Sequence, residues 1–143
     1  MNSRPSPGLP LSVLLSRLRR LHRPTVALLT VVALVRPVFS VTGATDALGR
    51  PLTPLLLTLL ISLFWILAVG LSRVREPLLT PVAAGVAYAV AALVLGGVLS
   101  PVLTGELRGP LARPQAILPM LLVNGVWGAV CALGVRRLRG GAA

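Results

Sequence analysis

Four apolar runs, at residues 25–43, 53–72, 79–100 and 116–135, limit what this chain can fold into. Each is close to the roughly 20 residues that an α-helix needs to cross about 30 Å of hydrocarbon. A chain of 143 residues that is 55% hydrophobic and only 12% charged cannot hide that much apolar surface in a water-soluble core. Strands do not suit the runs, which are continuous and far longer than a barrel strand. The expected fold is an all-α membrane protein, an antiparallel four-helix transmembrane bundle.

Proline marks the segments, because a residue without a backbone donor is best tolerated in loops and at helix starts. Of the 13 prolines, only Pro37 falls deep inside an apolar run. Residues 1–10 carry prolines, serines and a glycine and read as a disordered tail. From Leu11 the pattern changes. Leu11, Leu14, Leu15, Leu18 and Leu21 share one helical face while Arg17, Arg20 and His22 fall elsewhere, so residues 11–23 are expected to form a basic amphipathic helix on the membrane surface. The competing reading is a basic flank that only sets topology. The transmembrane domain spans 24–136, and 137–143 form a cytoplasmic tail. Arg17 to Arg23 followed by Thr25 to Val35 could also be the start of a signal peptide, but Arg36 and Pro37 interrupt it and three longer runs follow.

All 14 basic residues are arginine, against 3 acidic ones. In a soluble protein that excess would suggest nucleic acid, but aromatic residues make up only 3%, too few for base-stacking platforms, so no nucleic-acid partner is expected. The arginines instead bracket the spans. Arg4, Arg17, Arg19, Arg20, Arg23, Arg73, Arg75, Arg136, Arg137 and Arg139 share one side; the other side holds Arg50, Arg108 and Arg113, with Asp46 and Glu106. By the positive-inside rule both termini are cytoplasmic. Anionic lipid head groups are the expected contacts of Arg17, Arg19, Arg20, Arg23, Arg136, Arg137 and Arg139. The all-arginine, Ala/Leu/Val-rich composition suggests a GC-rich bacterial genome and hence the inner membrane.

Arg36 is the costly residue. It stands about 16 Å along the first run, where an arginine costs roughly 2.5–3.5 kcal/mol on the lenient insertion scale. Pro37 removes a helical hydrogen bond and frees the carbonyl of Ala33 as an acceptor. Ser62, Tyr88 and Asn124 fall at matching depths, so Arg36, Ser62, Tyr88 and Asn124 are expected to form a polar layer inside the membrane. In the competing reading Arg36 snorkels to an interface from a short or tilted span. Small residues form two further stripes, Gly85, Ala89, Ala92 and Gly96 in the third run and Gly125, Gly128, Ala129 and Ala132 in the fourth, which suit close helix packing within the chain or in a homo-oligomer.

Asp46, Glu76 and Glu106 all lie outside the runs, which argues against a cation-coupled exporter. One His and one Cys far apart make no metal site, and no nucleophile–base set, P-loop or dinucleotide pattern is present, so no cofactor and no enzyme activity are expected. Two roles remain. One is a non-enzymatic membrane component or accessory subunit that binds other membrane proteins through its helix faces. The other is a small transporter or channel that binds an anionic or polar solute near Arg36 and Asn124. The orientation is directly testable. A cysteine at Arg50 should react with an impermeant thiol reagent added outside and one at Arg137 should not; the reverse pattern would refute cytoplasmic termini.

Overall fold

In a computed structural model of the chain, residues 10–43, 47, 49, 52–107 and 109–141 are described. The tail before Pro10, together with Asp46, Arg50 and Arg108, lies outside them. The described residues contain helices and no strand. They are α1 (Pro10–Arg19), α2 (Arg23–Ala33), α3 (Val35–Val41), α4 (Leu52–Leu71), α5 (Leu79–Thr104) and α6 (Ile117–Gly140). Four helical stretches, Arg23–Ser40, Leu52–Leu71, Leu79–Thr104 and Pro114–Gly140, are long and apolar enough to cross a membrane.

Their ends depart from the sequence expectation in three places, each with a local cause. The first run is two helices. Leu34 interrupts it as a turn, with its N–H shared between the carbonyls of Thr30 (3.0 Å) and Val31 (3.2 Å). Pro37, which has no N–H to offer Ala33, stands in the first turn of the resumed helix, where a missing donor costs least. The third run does not stop before Pro101. It carries that proline inside its last turn and ends at Gly105, whose left-handed φ of 72° lets its N–H return to the Pro101 carbonyl at 2.9 Å. The fourth run continues to Gly140 and takes Arg137 and Arg139 into its last turn, where cations oppose the helix dipole.

Packing is led by α5 and α6, which run in opposite directions. A Cβ on Gly85 would strike the backbone carbonyl of Asn124, and one on Gly128 would strike the carbonyl of Pro81 and the Cα of Val82. Glycine lets the two backbones meet at these points. Of the two small-residue stripes, Gly85, Ala89, Ala92, Gly128 and Ala132 are buried. Gly125 faces the Val86 side chain at ordinary contact distance, a Cβ on Gly96 would meet open space, and Ala129 is exposed. Close contact therefore runs through one part of each stripe and leaves Gly96 and Ala129 outside it.

The other helices attach to this pair. The first span lies along α5 and α4 lies along α6, whereas α4 and α5, consecutive in the chain, touch only marginally. Gly134 leaves room for Ile66, and Gly70 for Leu138. A narrow buried cluster of Leu29, Trp65, Val69, Ala84, Cys131 and Val135 joins all four spans. The outward faces remain apolar and exposed along every span, for example at Leu59, Leu71, Val94 and Leu133. A water-soluble monomer does not display apolar surface on that scale; hydrocarbon is the solvent that suits it.

Helix α1 ends at Arg19, short of the expected 23, with residues 20–22 outside any helix, and its Leu11, Leu14, Leu15 and Leu18 are all exposed. The connection after α5 folds back as two short 3₁₀ turns, Pro110–Ala112 and Pro114–Ala116, with Leu111 seated where a side chain on Gly97 would otherwise be. If Gly128 sets the approach of α5 and α6, Gly128→Ala should destabilise the protein by about 1–3 kcal/mol, whereas Gly96→Ala should cost less than about 0.5 kcal/mol. Reversible unfolding in mixed micelles measures both; equal effects would contradict the asymmetry.

Candidate functional site

Arg36, Ser62, Tyr88 and Asn124 stand on four different helices, and helix geometry decides whether they meet. Arg36 is five residues from the end of α3, so its Cα lies about 7–8 Å below that end, farther from the span's centre than a run of 25–43 would place it. Helical side chains lean toward the N-terminus, however, which directs the long arginine back toward mid-depth. Arg36, Ser62, Tyr88 and Asn124 line one cavity of about 40 Å³, together with Ala33, Thr58, Ile61, Trp65 and Trp127. The space exceeds the roughly 10–15 Å³ that one water molecule needs, so the site accommodates a group of a few atoms.

The polar groups around it are unequally committed. Ser62 donates to the Thr58 carbonyl at 2.7 Å and accepts from Trp127 Nε1 at 2.9 Å. Asn124 donates through Nδ2 to the Met120 carbonyl one turn earlier, at 2.7 Å. Thr58 is bonded back to Pro54 in the same manner. Arg36 stands apart. It is exposed, and among the described residues its guanidinium makes no hydrogen bond and no ion pair. The freed Ala33 carbonyl that sequence considerations offered it is not taken up as a partner. The acidic residues of the chain all lie outside the spans, so no carboxylate within them neutralises Arg36.

Two tryptophans complete the walls, and they are the members that sequence considerations missed. Trp65 is buried, and its Nε1 donates to the Leu29 carbonyl at 3.0 Å, tying α4 to α2 just beside the cavity. Trp127 is half-exposed and tied through its indole to Ser62. Neither indole is distinguishable from a packing residue by its position in an apolar run; only the paired carbonyl or hydroxyl reveals the role. Arg139 is a second surprise. Beyond any head-group contact, its guanidinium donates to the carbonyls of Val69 (2.9 Å), Gly70 (3.3 Å) and Ser72, so that α6 caps the end of α4.

Chemically the site offers an unpaired cation, an amide, a phenol and two indoles in a confined space with no carboxylate base and no metal ligand set among the described residues. Such a set can offer hydrogen bonds and one positive charge to a small polar guest. Compared with known proteins, the chain matches no family model, and neither a curated protein nor a solved structure is detectably similar to it.

The interhelical tie is open to measurement. Trp65→Phe should cost about 0.5–1.5 kcal/mol of stability through loss of the Leu29 hydrogen bond, and Trp127→Phe should cost less, because Ser62 keeps Thr58 as a partner. Unfolding in mixed micelles gives the order; Trp127→Phe proving the more damaging would refute this account of the walls.

Proposed function

We propose that the protein is a non-enzymatic, multi-pass membrane protein that binds a small anion at mid-depth through Arg36. The supporting observation is the convergence of Arg36, Ser62, Tyr88 and Asn124 on one cavity in which the guanidinium is the one charged group and has no partner among the described residues. A charge in hydrocarbon is costly and is ordinarily matched. Since no span carries a carboxylate, the match comes from outside the chain.

The setting we propose for this site is an antiparallel four-helix transmembrane bundle in a bacterial inner membrane, with both termini cytoplasmic. The arginine distribution and the last-turn arginines of α6 support that orientation. Helix α1, with exposed leucines on one side and Arg17, Arg19 and Arg20 around it, suits the inner leaflet as an interfacial helix, and its arginines with Arg23, Arg136 and Arg137 suit anionic head groups.

A second reading keeps the protein as an accessory subunit. The exposure of Arg36 favours it, because a partner helix bearing an intramembrane carboxylate would satisfy the same charge. The two readings separate in purified protein. Anion binding without any partner, measured by calorimetry in detergent, should weaken roughly 10- to 100-fold in Arg36→Gln, which corresponds to the 1.5–3 kcal/mol of a hydrogen bond to a charged group. Absence of any anion dependence in the purified wild-type protein would sink the anion site and leave the accessory role.

A further inference from the structure

A second cavity, of about 370 Å³, lies on the side of the first where the connection between α5 and α6 crosses over. It falls within the size range of small-molecule sites. Ser40 of α3, Gly96 and Ser100 of α5 and Pro110 of the connection form its walls, and among the described residues no charged side chain lines it. Gly96 keeps it open, since nothing lies within contact distance of a Cβ built there. Ser100 is only 7% exposed, yet its hydroxyl makes no hydrogen bond among the described residues. Since Ser100 lines the cavity, that hydroxyl is free to bond a guest held there.

Tyr88 lines both this chamber and the Arg36 cavity, and it is the one residue common to the two linings. Its phenol, too, makes no hydrogen bond among the described residues, so a rotation of the ring breaks none. On the opposite side, toward the α4–α5 turn, the path is filled. Leu29, Val69, Ala84, Cys131 and Val135 belong to one buried cluster there, and the Trp65–Leu29 hydrogen bond joins α4 to α2.

Building on the anion-binding reading, we propose that the two cavities form one dead-end site for a small hydroxy-carboxylate, reached only from the side of the α5–α6 connection. The carboxylate meets Arg36, the uncharged hydroxyl-bearing body occupies the chamber at Ser100, and Tyr88 is the partition between them. The closed inner side makes the site one of binding and release on the same face, unlike a channel.

The test uses full-length protein in oriented proteoliposomes, with Cys131→Ala as background and Ser100→Cys as reporter. A small impermeant thiol reagent should modify Ser100→Cys from the connection side and not from the turn side. The probe 3-hydroxybutyrate should slow that reaction by about tenfold at saturation, chloride should not, and Arg36→Gln should abolish the protection. Should Ser100→Cys fail to fold, Ser40→Cys on the facing helix reads the same chamber. Modification from the turn side, or from neither side, overturns the one-sided route. Modification without protection overturns the hydroxy-carboxylate assignment. Protection that persists in Arg36→Gln overturns the anion reading instead, leaving the chamber as a site of its own.

Discussion

The backbone-to-backbone approach of α5 and α6 at Gly85 and Gly128 is the contact around which the remaining helices are arranged. The first span lies on α5 and α4 on α6, and neither of these outer pairings has a comparable close approach. In lipid there is no hydrophobic gain in bringing one helix to another, so small residues, interhelical hydrogen bonds and good van der Waals contact must supply the association. The protein uses the first of these at its centre and the second at its periphery. Trp65 to Leu29, Trp127 to Ser62 and Arg139 to the end of α4 are all bonds between a side chain on one helix and a group on another.

The division has a consequence for the cavity. Because α5 and α6 cannot separate without losing their closest contact, Asn124 and Tyr88 are held in fixed relation, with Ser62 tied to α6 through Trp127. Arg36 has no such anchor. It belongs to a short helix that begins after the Leu34 turn and contains Pro37, which donates no backbone hydrogen bond. For the anion proposed to bind there, a rigid wall and a less constrained cation would let the site adjust on one side only.

Hydrophobic length alone locates the four spans, because a run of about twenty apolar residues admits few other structures. Arg36, Ser62, Tyr88 and Asn124, which depth in the sequence groups together, line one cavity. The span ends were less legible. Proline and arginine are signals for the end of a membrane segment, not for the end of a helix, and Pro101 and Arg137 both lie inside helices that outlast the apolar run. Pairing was the least legible feature. Gly96 and Gly85 belong to the same stripe in the sequence, yet one faces a chamber and the other a backbone, a difference that depends on which helix lies opposite. The indoles of Trp65 and Trp127 were hidden for a related reason, since their apolar rings satisfy the pattern of the run whether or not the N–H has a partner.

The clamp that Arg139 places on α4 also bears on how the protein is made. Its acceptor Ser72 precedes it by 67 residues, so at about 5–20 residues per second the ribosome delivers the clamp roughly 3–13 s after the helix end it closes. Over that interval the carbonyls of Gly70 and Ser72 lack the guanidinium donor that they have in the folded protein. The end of α4 is thus completed only when α6 is present to supply Arg139.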